Sequence, residues 1–336
     1  MPTEATSALV TAPPVMGADA AAALALAHFG LTGTLAPLTS ERDLNFRLTA
    51  PDGTRHVLKI ANPAEPPAVT NFQTEALLHI ARSAPDLPVP RVVTARDGRC
   101  EITLPAGGTL RLLTWVEGTP LHEVPADPKL RHALGQTSAR LTGALADFAH
   151  PASGHMLLWD VKNAGALGPM LPAIADPRLA AIARAWLDHF EAHVAPGLHA
   201  LPWQVVHADL NPWNLLVDPE TATISGILDF GDMVRTPRIC DLAVAASYHV
   251  DAANPVRALA DIVGGWTSVM PLLPGEAAML LDLVAMRMVT TVALASWRAA
   301  RYPENAAYIL RNLPASSAGL AALTALGRGR DWRDLA

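Results

Sequence analysis

One stretch, residues 205–232, constrains the fold of this chain more than any other segment. It reads VVHADLNPWNLLVDPETATISGILDFGD, in which three apolar runs are separated by two polar segments. Short apolar runs bounded by turn residues such as Asp218-Pro219 are typical of buried strands. The first polar segment therefore joins two strands. We expect its Asp209 and Asn214 to lie near Asp229, which ends the third strand.

Two carboxylates and an amide in one place suit the transfer of a phosphoryl group to a hydroxyl. In that reaction the protein aligns the two reacting oxygens, and hard cations such as Mg²⁺ neutralise the phosphate charge. Asp209 fits the residue that orients the attacking hydroxyl and accepts its proton. The oxygens of Asn214 and Asp229 suit Mg²⁺. A polar turn between two core strands explains the H-x-D-x-x-x-x-N spacing but not the added Asp-Phe-Gly.

The H-x-D-x-x-x-x-N and D-F-G motifs resemble those of the kinase superfamily. Two features depart from protein kinases. Ala208 stands where protein kinases switched by phosphorylation usually carry Arg, and only eleven residues separate Asp229 from Asp241, too few for a long activation segment. The chain is therefore more similar to the aminoglycoside phosphotransferase and choline kinase-like family, whose members phosphorylate small molecules.

Weaker motifs outside this stretch resemble the hydroxylysine kinase branch of that family. They are Glu41-Arg42-Asp43-x-Asn45-Phe46, Leu228 to Met233, and Trp297-Arg298 with Pro303-Glu304-Asn305. The resemblance implies an α+β, protein kinase-like bilobal fold, with a small lobe built on a five-stranded antiparallel sheet and a larger, mostly helical lobe. It also implies transfer of the γ-phosphate of ATP or GTP to the hydroxyl of a small amino alcohol or hydroxy amino acid, with Mg²⁺ as the metal.

Lys59 and Glu75 are the predicted phosphate-holding pair of the small lobe. Lys59 lies inside the apolar strand pattern Val57 to Ile60, where a cation is costly unless its ammonium meets an anion. Glu75 begins a helical pattern sixteen residues later and is a reasonable partner. The resemblance assigns this pair to the α- and β-phosphates. Exposure of Lys59 on the solvent face of an edge strand is the alternative.

Two backbone segments are candidates for nucleotide contacts. The segment 40–46 occupies the place of a glycine-rich phosphate loop but contains no glycine, so Ser40, Arg42 and Asn45 are the candidate donors. A solvated polar turn is the alternative. The run that ends on Gly118 resembles the hinge between lobes, where backbone groups from Thr114 to Val116 would meet the purine. A plain strand end explains these residues almost as well.

The second half of the chain is predicted to be helical from Pro128 onward, because Leu130, Leu134 and Leu141 recur at helical spacing. The apolar stretch Met279 to Trp297 is predicted to be a buried helix, since two charges interrupt it.

Four polar residues of this half are assigned further roles. Arg287 is a candidate for a substrate carboxylate; the alternative is a buried pair with a carboxylate such as Asp241 or Asp282. Asp232 is the candidate for a substrate ammonium. His207 and Asp241 are predicted to brace the catalytic loop.

Length and composition bound the domain organisation. The chain has 336 residues, of which 51% are hydrophobic and 17% charged, as expected for globular material with two lobes. We predict a loose tail over residues 1–17, a nucleotide-binding lobe over 18–116 and a catalytic and substrate-binding lobe over 117–336.

Charge and cysteine usage bear on partners and location. The net charge of −6 and the lack of a basic stripe argue against a nucleic-acid partner and favour a small substrate carrying an amine. Two distant cysteines, Cys100 and Cys240, and no recognisable secretory signal predict a cytoplasmic protein with no membrane partner. The oligomeric state stays open.

Other readings share some of these residues. Homoserine, choline or ethanolamine, and aminoglycoside kinases use the same machinery on other acceptors. A nucleotide-binding module without catalysis is a second class, which the glycine-free loop favours and the set of Lys59, Asp209, Asn214 and Asp229 disfavours. A metal-dependent hydrolase built on His207, Asp209 and Asp229 is a third class, but it does not need Lys59.

Overall fold

The computed structural model describes residue 11 and residues 14–40 and 42–335. Most of the predicted tail, residues 1–17, and Glu41 lie outside the described residues. The chain divides into two compact units. The first comprises Met1–Gly118, Phe148–Met156 and Ser225–Gly231, and the second comprises Thr119–Asp147, Leu157–Ile224 and Asp232–Ala336. Two late segments therefore return to the first unit, which no local pattern in the sequence predicts.

The first unit is built on an antiparallel sheet. The strands are β1 (Thr34–Leu38), β2 (Leu44–Thr49), β3 (Arg55–Ile60), β4 (Val92–Val93), β5 (Ile102–Thr103) and β6 (Thr109–Thr114). Their order is β1-β2-β3-β6-β4, and β5 also pairs with β6. The sheet thus has one strand more than the family resemblance implies. Its helices are α1 (Ala18–Leu24) and α2 (Pro67–Ser83).

The pleat of the central strands separates an apolar face from a charged one. Leu58 and Ile60 of β3 are buried in the hydrophobic core together with Leu110 and Leu112 of β6. Because side chains alternate along a strand, Lys59 faces the other side. Its register partner on β6 is Arg111. The guanidinium of Arg111 bonds to Thr70, Gln73 and Thr74, so α2 covers this charged face.

The second unit is mostly helical. Its helices are α3 (Pro128–Ala144), α4 (Pro177–His189), α5 (Ile239–Ser247), α6 (Pro255–Thr267), α7 (Pro274–Ala299), α8 (Ala306–Ile309) and α9 (Leu313–Leu326). The predicted helix after residue 128 is confirmed, and Leu130, Leu134 and Leu141 are buried on one face of α3. The apolar stretch predicted to be a core helix is α7. This helix is long and apolar enough to cross a membrane, yet 89% of its most apolar window is buried inside the protein.

Short strands frame the polar loop of the central stretch. They are β7 (Thr119–Pro120), β8 (Trp203–Val206), β9 (Leu215–Asp218), β10 (Thr223–Ile227) and β11 (Val234–Pro237). Strand β8 pairs with β11 and β7 pairs with β9, both antiparallel. The three strands predicted within residues 205–232 are confirmed as β8, β9 and β10. Asp209 and Asn214 lie in the second unit between β8 and β9, whereas Asp229 belongs to the first unit.

Candidate active site

The carboxylate of Asp209 is held by three side-chain donors within the second unit. Asn211 and Asn214 each donate Nδ2 to Oδ2 of Asp209 at 2.8 Å. Arg287 donates Nη2 to Oδ1 at 3.1 Å. A carboxylate bound on both oxygens has little rotational freedom. Asp209 is therefore fixed in orientation before any ligand arrives.

The backbone at Ala208, just before Asp209, adopts a conformation that is unfavourable for residues with a Cβ. Ala208 has φ of +63°, in the left-handed region, which costs about 1–2 kcal/mol for a residue with a Cβ. Its N–H donates to Oδ1 of Asp241 at 2.9 Å, and Thr142 donates to Oδ2 of the same carboxylate. The fully buried His207 accepts the N–H of Asp209 at Nδ1. His207 and Asp241, which were predicted to brace the catalytic loop, therefore both bond to the backbone of this strained turn.

Burial also changes the protonation equilibrium of Asp241. The side chain has no exposed surface, and burial raises the pKa of its carboxyl above the ordinary value. The nearby His207 and the hydrogen bonds from Ala208 and Thr142 oppose this rise. A carboxylate with several donors is tolerated in such a place because its charge is compensated.

Arg287 is enclosed by protein groups. Its side chain is 2% exposed, and its guanidinium lies over the rings of Trp159 at 5.3 Å and Tyr248 at 5.9 Å. It donates to the carbonyl of Trp159 at 2.6 Å and to the hydroxyl of Tyr248 at 3.0 Å. Burial acts to lower the pKa of Arg287, but Tyr248 and Asp209 outweigh it and the pKa is raised.

The buried pair that the sequence offered as the alternative for Arg287 therefore has Asp209 as its carboxylate. Asp282 instead meets His189 at 2.9 Å, and Asp241 braces the turn at Ala208. Asp232 is also buried, and its charge contributes to raising the pKa of Arg287. The substrate roles of Arg287 and Asp232 stay predictions.

Lys59 makes two long ion pairs within the first unit. Its Nζ lies 3.7 Å from Oδ2 of Asp43 and 3.9 Å from Oδ1 of Asp229. Within the described part of the chain, no ion pair joins Lys59 to Glu75. Asp43 was not predicted as a partner, although it lies two residues before Asn45, the register partner of Lys59. The assignment of Glu75 to the phosphates stays a prediction.

Asp229 also has left-handed backbone, with φ of +55°, and its side chain is 54% exposed. Its Oδ1 accepts the N–H of Gly231 at 3.2 Å. A Cβ on Gly231 would lie 3.0 Å from that oxygen and 3.3 Å from Nη2 of Arg42, so glycine permits this close approach. The guanidinium of Arg42, one of the predicted donors, therefore lies beside the Asp-Phe-Gly turn.

Of the other residues predicted to contact the nucleotide, some already have hydrogen-bond partners within the protein and one has a buried atom without a partner. Ser40 accepts the N–H of Asp43 at 3.3 Å, and the Oδ1 of Asn45 is buried with no hydrogen-bond partner among the described residues. In the hinge segment, the N–H of Thr114 donates to the carbonyl of Arg91. The N–H of Thr114 is therefore already bonded within the protein. The nucleotide contact of Val116 stays a prediction.

Arg111 is a further buried cation that the sequence analysis missed. It is 2% exposed, and burial lowers its pKa while the charges of Asp43 and Asp229 oppose the fall. No ion pair involving Arg111 occurs among the residues the structure describes. The signal was present in the sequence, because a cation inside the apolar run of β6 follows the same reasoning that singled out Lys59.

Asn214 in the second unit and Asp229 in the first each carry an oxygen of the kind that binds divalent metals. Nδ2 of Asn214 is used by Asp209, so its amide oxygen is the atom of the side chain that suits a metal. Asp229 offers a half-exposed carboxylate. Within the described residues, no group of three or more His, Cys, Asp or Glu side chains is placed to hold a metal by itself. Hard oxygen donors in small number are typical of Mg²⁺ sites completed by a substrate phosphate.

A model of the phosphotransferase enzyme family, APH, matches residues 34–280. The chain belongs to this family. The family recognised from the H-x-D-x-x-x-x-N and D-F-G motifs is thereby confirmed, and so is the prediction of an enzyme that transfers phosphoryl groups.

Two kinases of known activity are similar in sequence to this phosphotransferase. Hydroxylysine kinase of Mus musculus is 29% identical over 329 residues, which cover 89% of this chain and 87% of the relative. Homoserine kinase of Beijerinckia indica is 35% identical over 163 residues, which cover 45% of this chain and 44% of the relative. The first similarity extends over nearly the whole phosphotransferase, and the second over less than half of it.

Solved structures share the fold of this phosphotransferase. A microcompartment-associated aminopropanol kinase matches with a TM-score of 0.70 at 21% identity, over 91% of this chain and 98% of that one. An amicoumacin kinase in complex with AMP-PNP and Ca²⁺ matches with a TM-score of 0.61 at 14% identity, over 83% of this chain and 87% of that one. At these identities the likeness shows the fold alone. It confirms the predicted α+β, protein kinase-like class.

Proposed function

We propose that this enzyme is a small-molecule kinase that transfers the γ-phosphate of a nucleoside triphosphate to the hydroxyl of a small amino alcohol or hydroxy amino acid. The observation that carries the proposal is the fixed carboxylate of Asp209, which receives hydrogen bonds from Asn211, Asn214 and Arg287. A carboxylate held in this way is suited to orient an acceptor hydroxyl and accept its proton.

Asn214 and Asp229 are the residues we assign to the metal. The support is the amide oxygen of Asn214, which its hydrogen bonds leave available, and the half-exposed carboxylate of Asp229. A bound Mg²⁺ supplies charge neutralisation for the phosphates. The complex of the structurally similar amicoumacin kinase with AMP-PNP and Ca²⁺ favours a nucleotide and a divalent metal here as well.

Lys59 is the residue we assign to the nucleotide phosphates, with Glu75, Ser40, Arg42, Asn45, Thr114 and Val116 as the further candidates. The ion pairs of Lys59 at 3.7 Å and 3.9 Å are long, so a phosphate oxygen can replace a carboxylate at modest cost. Arg42 lies beside the turn at Asp229 and is the candidate of the glycine-free loop with the best placement. ATP and GTP are equally compatible donors.

The acceptor is proposed from the relatives and from charge. Hydroxylysine is the first candidate because the relative with that activity matches nearly the whole chain. Homoserine, aminopropanol, choline or ethanolamine, and aminoglycosides are alternatives. The net charge of −6 favours an amine-bearing acceptor, for which Asp232 is the proposed ammonium partner. A cytoplasmic location and the lack of nucleic-acid and membrane partners stay predictions.

The test is a nucleoside diphosphate release assay with a panel of these acceptors, run with both ATP and GTP and with Mg²⁺. We expect release that depends on one acceptor class and on the metal. Phosphate release without any acceptor would instead support a metal-dependent hydrolase. Binding of Mg-nucleotide without release for any acceptor would support the module without catalysis.

A further inference from the structure

A cavity of about 240 Å³ lies within the second unit beside the catalytic loop. Pro212 and Trp213 of that loop line one side, and Tyr248, His249 and Arg311 line another. The volume suits a molecule of the size of an amino acid. His249 and Arg311 have no role in the phosphoryl transfer proposed above.

Several polar atoms of the lining residues are buried and lack a partner. Nε and Nη1 of Arg311 and Nε2 of His249 have no hydrogen-bond partner among the residues that the structure describes. Buried polar groups in folded proteins are nearly always satisfied, so unpartnered groups on two lining residues are unusual. Arg311 and His249 therefore have unused hydrogen-bonding capacity beside the cavity.

The charge of the cavity points to an anionic group on that occupant. The guanidinium of Arg311 lies over the rings of Tyr308 at 3.8 Å and Trp213 at 4.7 Å, and within the described chain it makes no ion pair. The other charged lining residues are already engaged. Arg131 pairs with Asp261 at 2.8 Å, and Asp127 accepts backbone N–H groups at the start of α3.

His249 adds no compensating charge. Burial, together with the nearby Arg131, lowers the pKa of His249 to about 4, so the imidazole is neutral near pH 7. Arg311 is thus the uncompensated charge of the lining. A guanidinium in this state suits a carboxylate, which it can bind through two parallel hydrogen bonds.

The cavity is connected to the catalytic carboxylate through one guanidinium nitrogen. Nη2 of Arg287 donates both to the hydroxyl of Tyr248, a lining residue, and to Oδ1 of Asp209. Tyr248 therefore lies between the cavity and the guanidinium that holds Asp209. Because Pro212 and Trp213 also line the cavity, a molecule bound at Arg311 lies beside the catalytic loop.

We propose that this cavity binds the acceptor and that Arg311 binds the carboxylate of the acceptor. The enzyme is then specific for hydroxy amino acids, and an amino alcohol without a carboxylate is a poor ligand. This inference rests on the proposed function for the identity of the acceptor. Arg311 acts as a specificity-determining residue, and Arg287 stays bound to Asp209.

The test compares acceptors that differ only at the carboxylate. Hydroxylysine and homoserine are each titrated calorimetrically against their own carboxamides, with wild type, Arg311→Gln and Arg311→Lys. We expect Arg311→Gln to weaken binding of each acid by about 10- to 100-fold, the range for a hydrogen bond to a charged group, and to change amide binding by less than about threefold. Arg311→Lys keeps the charge, so it should lose less acid affinity.

Arg301→Gln is the matched control. Arg301 also stacks on an aromatic ring, Trp297 at 3.7 Å, but it is exposed and outside the cavity lining. It should leave both affinities unchanged. Equal losses for acid and amide, no loss in Arg311→Gln, or failure of wild type to bind either acid would overturn the inference. If Arg311→Gln does not fold, a selective loss of acid affinity in Arg311→Lys supports the inference, and equal losses overturn it.

Turnover is measured on the same proteins, so that the two proposals fail separately. Selective binding of the acids without release of nucleoside diphosphate contradicts the proposed kinase function and leaves the carboxylate site standing. Turnover that is insensitive to Arg311→Gln with every acid contradicts the carboxylate site and leaves the kinase function standing.

Discussion

Two cations of this enzyme, Lys59 in the first unit and Arg287 in the second, are held in different ways. Lys59 makes ion pairs of 3.7 Å and 3.9 Å and keeps 13% of its side chain exposed. Arg287 is 2% exposed, donates at 2.6 Å, 3.0 Å and 3.1 Å, and lies within 6 Å of the centroids of two aromatic rings. The first cation makes only long ion pairs, whereas the second donates three hydrogen bonds through its two Nη atoms.

The difference indicates different tasks. A buried cation with three short hydrogen bonds costs much to move, so Arg287 is suited to fix Asp209 rather than to follow a ligand. A lysine with two long ion pairs loses little when an incoming phosphate replaces one of them. The second unit therefore fixes the carboxylate proposed as the base, and the first unit contains the cation that can change partners at lower cost.

The largest expected effect is on the carboxylate that Arg287 holds. Asp209→Asn keeps the shape of the side chain but removes its ability to accept a proton. We expect turnover to fall by about 10²- to 10⁴-fold, with the fold intact. Steady-state kinetics with the best acceptor and circular dichroism measure the two quantities. Activity within a factor of a few of wild type would show that Asp209 is not the base.

The next prediction compares how much each of the two cations contributes to the free energy of unfolding. Arg287→Met leaves Asp209 without its buried partner, and we expect the free energy of unfolding to fall by about 3–5 kcal/mol. Lys59→Met, the matched change in the first unit, should lower it by less than about 1 kcal/mol. Urea unfolding measures both. Similar losses in the two variants would remove the distinction on which the comparison depends.

The third prediction tests whether the charged residues of the first unit bind Mg-nucleotide. Asp229→Asn and Lys59→Met should each weaken binding of Mg-nucleotide by at least about tenfold, because each removes a charge next to the phosphates. Calorimetric titration with and without Mg²⁺ measures this, and Asp229→Asn should also remove the metal dependence. Unchanged titrations would contradict both assignments. Asp97→Asn, an exposed first-unit carboxylate paired with Arg99, is the control.

The smallest effect concerns acid sensitivity in the second unit. His249 has an ordinary pKa of 6.5 when unfolded and about 4 when folded. Between these values the unfolded chain binds a proton that the folded chain does not, so stability falls as pH drops from about 6.5 toward 4. The contribution is on the order of 3 kcal/mol. His249→Gln should make the unfolding midpoint less dependent on pH over this range, whereas substitution of the exposed His199 by Gln should not. Identical pH profiles would refute the prediction.

The catalytic loop is the part of the candidate site that the sequence predicted best. Its residues are close in sequence, and strands on both sides restrict where the loop can go, so the positions of Asp209 and Asn214 followed from local pattern. The helices α3 and α7 were also predicted, because apolar spacing is a local property. Family membership followed from the same short motifs.

Pairings between distant residues were not predicted. The alternative for Arg287 was a buried pair with a carboxylate such as Asp241 or Asp282, and the carboxylate of the observed pair is Asp209. In the part of the chain that the structure describes, Lys59 makes ion pairs with Asp43 and Asp229, and the role of Glu75 stays a prediction. A cation in an apolar segment predicts a nearby anion, but the sequence does not identify that anion.

By itself the amino-acid sequence determined the elements, the reactive loop and the class of chemistry, since hydrophobic periodicity and motif spacing act over a few residues. Only the tertiary structure decided which carboxylate each buried charge meets. It also brought Trp213, His249 and Arg311, far apart in the chain, around one cavity. The physical reason is that desolvated charges are stabilised by whichever distant group the packing of helices and strands brings within hydrogen-bond distance.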